Sequence, residues 1–127
     1  MELEGNAKLK ALIFPGQGSQ AVGMGAGLFE RFPQITECAS DRLGLSIKEL
    51  CLHDSNGKLS STQYAQSAIF VVNALYLANA FESNSLESID FVAGHSLGEY
   101  SALLAAQVFN FETGLDMLKK EANCLPE

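Results

Sequence analysis

An α/β fold with a mostly parallel sheet and flanking helices is what this 127-residue sequence predicts. Two short apolar runs, Lys10–Phe14 and Ile89–Ala93, each stop at a glycine turn, as buried strands do. Between them, Thr62 to Phe81 carries Ala65, Ile69, Val72 and Tyr76 at helical spacing. Strand, loop and helix therefore alternate, the pattern of a sheet built through helical crossovers.

The length allows one domain, and 47% hydrophobic residues is ordinary for a chain that buries a core. A net charge of −7 argues against nucleic acid as a partner, because that footprint needs clustered Lys and Arg. No apolar run approaches the roughly 20 residues of a membrane span, and Met1 to Lys10 holds no signal-peptide core. Cys38, Cys51 and Cys124 are scattered and odd in number, matching neither a disulfide framework nor a zinc spacing. No metal is expected, and a reducing cytoplasm is the simplest compartment.

Along the chain, the first strand ends at Pro15-Gly16 and runs into a loop rich in glycine through Gly27. Helices are expected at Ala26–Arg31 and Pro33–Leu43. Ser46 can cap another, with Glu49 as its capping-box partner. His53–Lys58 reads as a turn. The Thr62–Phe81 pattern is apolar on more than one face (Phe70, Val71, Leu75, Leu77), which predicts a buried helix. Glu82–Ser88 reads as a polar loop, Glu99–Gln107 as a helix, and Asn110 as the cap of a last helix from Glu112 to about Lys120.

Gly94-His95-Ser96-Leu97-Gly98 is a G-x-S-x-G pentapeptide between a predicted strand and a predicted helix. That context is what a nucleophilic serine on a sharp turn requires. The glycines remove side chains where strand crowds helix, and the Leu97 N–H would face a developing oxyanion at a helix N-terminus. An accidental glycine turn with a surface serine is the alternative. A serine nucleophile needs a base, and the chain has only His53 and His95. His95 adjoins Ser96, where neighbouring side chains diverge, and His53 lies in a polar turn. Half of a catalytic apparatus is therefore legible. Gly16-Gln-Gly-Ser-Gln-Ala21 also fits the weak dinucleotide pattern G-x-G-x-x-A, with Glu37 or Asp41 as the acidic partner. A loop whose amides face a reaction centre fits equally well.

Phe14-Pro-Gly-Gln-Gly-Ser-Gln20, Thr62-Gln-Tyr-Ala-Gln66 and Gly94-His-Ser-Leu-Gly-Glu-Tyr-Ser-Ala-Leu103 stand in that order. Together they resemble malonyl-CoA:acyl-carrier-protein transacylases and the acyltransferase domains of polyketide synthases, in particular the stand-alone enzymes that serve those synthases in trans. The resemblance spans about residues 10–120. It implies that residues 1–127 are the N-terminal part of a single acyltransferase domain, with a partial α/β-hydrolase-like core and without the ferredoxin-like subdomain. It further implies a ping-pong transfer with no bound cofactor. Ser96 would take the acyl group from malonyl-CoA, or another CoA thioester, and pass it to the phosphopantetheine thiol of an acyl carrier protein. The amides of Gln17 and Leu97 would form the oxyanion hole, and Gln66 and His95 would border the substrate. The catalytic histidine would come from the missing C-terminal half.

The family also carries an arginine, usually followed by glycine, that pairs with the malonyl carboxylate. Alignment from Phe109 puts Glu121 at that place. Either the acyl group is not malonyl, or the reading has left the family just before Glu121. Codons for Lys119–Cys124, read from the third base of the Lys120 codon, can spell Arg-Gly-Glu-Leu, which suggests one lost adenine. Two other readings stand beside transfer: an acyl hydrolase of the same fold, and a non-catalytic fragment that binds acyl-CoA or a partner.

Overall fold

A computed structural model describes residues 9–83 and 89–124. Two strands, β1 (Ala11–Phe14) and β2 (Phe91–Gly94), pair in parallel, Ala11 opposite Phe91 and Phe14 opposite Gly94. The connection between them holds α1 (Pro33–Leu43), α2 (Ile47–Leu52), a short 3-10 turn (Lys58–Ser60) and α3 (Thr62–Glu82). After β2 come α4 (Gly98–Ala105) and α5 (Phe111–Cys124).

The long helix α3 is the spine. Eleven of its residues are buried, including Phe70, Val71 and Leu75 at 0% exposure. It packs on α1, α4 and α5, and Phe70 stacks on Phe111 with centroids 5.6 Å apart. Its middle, Ser67–Leu75, is buried without a break, as the near-continuous apolar sequence there requires, whereas Tyr76 is 55% exposed. Among the described residues, no helix is long and apolar enough to cross a membrane. One sheet face packs inward, where Phe14 meets Leu77 and Ala102, with Leu12 and Val92 alongside. The other follows the alternation of a strand: Ile13 is 70% exposed and Phe91 57%.

Capping residues set several boundaries as their chemistry predicts. Ser46 Oγ accepts from the Glu49 N–H at 3.2 Å, and Asn110 Oδ1 accepts from the Thr113 N–H at 2.8 Å. α4 ends two residues earlier than the expected Gln107. Gln107 takes a left-handed φ of 64°, and the N–H groups of Gln107 and Val108 return to the carbonyls of Leu104 and Leu103. This closes a Schellman turn without glycine. α5 continues beyond Lys120 to Cys124.

Two expectations are corrected. Ala26–Arg31 is a series of turns, not a helix, because Gly23, Gly25 and Gly27 all hold φ between 80° and 98°. Left-handed residues at every second position cannot propagate a right-handed helix. The capping box at Ser46 is half formed: the Glu49 carboxylate accepts from the N–H and hydroxyl of Ser55 instead. Those bonds tie α2 to the following turn and hold the Glu49 carboxyl below its ordinary pKa. Of the polar loop expected at Glu82–Ser88, Glu82 ends α3, and residues 84–88 lie outside the described residues.

Candidate active site

The ends of β1 and β2 lead into two loops that press on each other. The parallel ladder runs one rung past β2, with His95 N–H donating to Phe14 O at 3.3 Å. A Cβ on Gly16 would lie 2.2 Å from His95 O and 3.3 Å from Leu97 N. One on Gly98 would lie 2.3 Å from Phe14 O, and one on Gly94 would lie 1.9 Å from Gly98 O. Only glycine permits these approaches. The front loop and the serine turn are thus in backbone contact, although about eighty residues of sequence separate them.

Ser96 sits at the apex with φ 56°, a left-handed conformation rare for a residue with a Cβ, and is exposed. The turn closes through Gly98 N–H to His95 O at 2.9 Å and Glu99 N–H to Ser96 O at 2.9 Å. Leu97 already has helical φ and ψ, and its side chain is buried. A strained serine lifted between a strand and a helix is the geometry of a nucleophile elbow. In the front loop, Ser19 N–H returns to Gly16 O at 3.1 Å.

Gln17 and Gln66 meet. The Gln17 side chain donates to Thr62 Oγ1 at 3.2 Å and accepts from Gln66 Nε2 at 3.4 Å. Gln66 therefore reaches the front loop through Gln17, and its own buried Oε1 has no partner among the described residues. Both ends of the Thr62-x-x-x-Gln66 spacing grip one side chain, since residues four apart share a helix face.

His95 is exposed beside Ser96, and His53 terminates α2, an element packed on α1, α3 and the 3-10 turn. Neither is placed by any hydrogen bond to Ser96. Cys51 is fully buried, and burial pushes its thiol up to about 12, ahead of a smaller effect from Asp54. Cys38 is half-buried near the Glu112 carboxylate; the side chain of Cys124 lies outside the described residues. The dinucleotide pattern lacks its structural context: the loop after β1 opens into turns, and Glu37 and Asp41 lie on α1, which starts only at Pro33.

Glu121 is anchored on the serine helix. Tyr100 Oη donates to Glu121 Oε2 at 2.5 Å, and this bond raises the Tyr100 pKa above its ordinary value. Sequence reasoning missed Asn73, whose amide joins the front loop to α4. An amide flanked by Val72 and Ala74 in the apolar middle of the helix was the available signal.

Strand, elbow and helix in this order define an α/β protein with a serine-bearing turn of the hydrolase type. Residues 11–119 match the acyl transferase domain, and the chain belongs to that family. It is 50% identical over 113 residues to the polyketide biosynthesis malonyl CoA-acyl carrier protein transacylase PksC of Bacillus subtilis, covering 89% of this chain and 39% of that protein. The malonyl CoA-acyl carrier protein transacylase of Synechocystis is 44% identical over 121 residues, covering 91% and 39%. Among solved structures, the Burkholderia pseudomallei transacylase superposes with a TM-score of 0.85 at 51% identity, covering 92% of this chain and 40% of that one. A malonyl-transacylase solved in complex with a type II polyketide acyl-carrier protein gives 0.80 at 32% identity, covering 94% and 41%. The chain thus spans about two fifths of the length of the relatives it matches.

Proposed function

We propose that this chain is the nucleophile-bearing part of an acyltransferase that moves a malonyl or related acyl group from CoA to an acyl carrier protein. Ser96 Oγ attacks the thioester carbonyl, the serine ester forms, and CoA leaves as its thiol. The phosphopantetheine thiol of the carrier protein then attacks the ester, and the serine hydroxyl is restored. The N–H groups of Leu97 and Gln17 receive the carbonyl oxygen as it becomes negative, His95 borders the substrate, and Gln66 acts through Gln17. A histidine from the remaining three fifths of the domain supplies the base, and the cytoplasm, where CoA thioesters and carrier proteins meet, is the proposed compartment.

The observation that carries this reading is Ser96 at φ 56° in a turn whose Leu97 nitrogen lies against Gly16. The test is mass spectrometry of the chain continued with the C-terminal region of the Bacillus subtilis relative, after exposure to malonyl-CoA. Ester formation at Ser96, lost in Ser96→Ala, is the expected result; an adduct that persists, or that maps to Cys51 or Cys124, sinks the assignment. The Glu121 carboxylate on Tyr100 favours a second reading, an uncharged acyl group that is transferred or hydrolysed. Acetyl-CoA and malonyl-CoA compared in the same assay separate the two.

A further inference from the structure

We infer that Asn73 is a positioning residue, a clamp that holds the front loop and the serine helix at one fixed separation; this rests on the reading of Ser96 given above. Asn73 is 5% exposed in the middle of α3, and its side chain reaches both the front loop and α4. Its Nδ2 donates to Pro15 O at 3.3 Å and to Ser101 Oγ at 2.9 Å. Both N–H groups of the amide are thereby used, one on each side of the site.

The two acceptors are well chosen for leverage. Pro15 O also lies 3.0 Å from where a Cβ on Gly98 would stand, so it is wedged between the amide and the start of α4. Gly16 and Gln17 follow it directly, and any movement of Pro15 displaces both. Ser101 is 1% exposed and lies four residues after Leu97, one turn along the same face. Thr62, Gln66 and Asn73 sit at i, i+4 and i+11, so all three share one face of α3. Along that face the helix grips the Gln17 side chain at one point and the Pro15 carbonyl at the next. A residue chosen only for packing between Val72 and Ala74 would be apolar, because a buried amide is favourable only when bonded.

The test uses hydrogen exchange in the 127-residue chain, comparing Asn73→Leu and Ser101→Ala with the unaltered protein. The probes are His95 N–H, which ties the start of the serine turn to Phe14 O, and Ser19 N–H, which closes the front loop, against the core amides of Leu75 and Leu118. Asn73→Leu, which keeps the branching of the side chain and removes both donors, is expected to speed exchange at His95 and Ser19 about tenfold while the core changes less than about threefold. Equal acceleration of loop and core overturns the inference, as does unchanged exchange at the loops. If Asn73→Leu does not fold, Ser101→Ala carries the test: faster exchange at His95 over a constant core supports the clamp, and equal rates refute it. In the chain continued with the C-terminal region of the Bacillus subtilis relative, Asn73→Leu should lower kcat for acylation roughly tenfold with KM within about twofold. A change confined to KM counts against positioning. If the unaltered protein takes no acyl group, the functional reading falls, while the exchange pattern still decides the clamp.

Discussion

The Cα of Gly16 is packed so tightly on the serine turn that a methyl group there would come within 2.2 Å of the His95 carbonyl oxygen. The neighbour is backbone, fixed by its own bond from Gly98 N–H, and cannot swing away. Gly16→Ala is therefore expected to lower stability by about 3 kcal/mol through overpacking. Gly27 offers a control: its φ is 85°, and nothing lies within 4 Å of its missing Cβ. Gly27→Ala should lose only the backbone term, about 1 kcal/mol. Equal losses in urea denaturation would show that the two loops do not press on each other.

Ser96 stores strain for its position. A left-handed residue with a Cβ costs about 1–2 kcal/mol relative to glycine, against about 0.5–1 kcal/mol of extra chain entropy that glycine loses on folding. Ser96→Gly should accordingly be more stable than Ser96→Ala by about 0.5–1 kcal/mol, although neither can form an ester. Thermal melts of the two variants decide this. The reverse order would remove the strained elbow from the account.

The elbow was legible because its signal is local: two glycines around a serine, with a strand before and a helix after. The bounds of α1 and the Asn110 cap were legible for the same reason. The turns at Ala26–Arg31 were not. A helix was expected there, and only the left-handed glycines reveal that the backbone goes elsewhere. Glu49 illustrates a second limit, since its carboxylate had two partners within reach, Ser46 and Ser55, and spacing could not choose between them. Asn73 is a third. Its role depends on Pro15 and Ser101, far away in sequence, and such a pairing is set by tertiary packing alone.

Cys51 should behave as a core residue. Its folded pKa is raised to about 12, so the thiol stays protonated at neutral pH and should not react with a thiol reagent until the chain unfolds. The sign of the pH effect follows. Below about pH 8.5 both states keep the proton, and the contribution to stability is fully present. Above that, the unfolded state releases its proton and the folded state does not, so the contribution is lost as pH rises toward the folded value. Relative to Cys51→Ala, the unaltered chain should therefore lose stability between about pH 9 and 11. Equal pH slopes for the two proteins would contradict the buried thiol.

Tyr100 reports on Glu121. Its hydroxyl is held protonated chiefly by the bond to that carboxylate, with burial second. A raised folded pKa stabilises below the ordinary phenol value and loses that effect as pH rises through the folded one. Glu121→Gln should bring the Tyr100 titration down toward about 10, measured as the ultraviolet difference from Tyr100→Phe. An unchanged midpoint would mean that the contact does not form in solution.

The last prediction concerns the coding of Glu121 itself. The family match ends at Lys119, and the residues that follow, Lys120-Glu-Ala-Asn-Cys124, depart from the arginine-glycine pattern that the resemblance calls for. Their codons are AAR GAR GCN AAY TGY, and reading from the third base of the first gives RGA RGC NAA YTG. With suitable open bases these spell Arg-Gly-Glu-Leu, and YTG encodes leucine for either pyrimidine. One adenine lost from the run across Lys119 and Lys120 accounts for the whole departure. The present residues still continue α5 to Cys124, so such a loss would leave this helix unbroken. The functional consequence is large, because the position tethered to Tyr100 would exchange a carboxylate for a guanidinium that can pair with a malonyl carboxylate. Resequencing the locus is expected to show one further adenine, an arginine-glycine pair, and a downstream frame encoding a histidine-bearing continuation. In the continued protein, Glu121→Arg combined with Ala122→Gly should then favour malonyl-CoA over acetyl-CoA by about tenfold or more. If the locus reads as the present sequence does, the idea fails and Glu121 stands as the native residue.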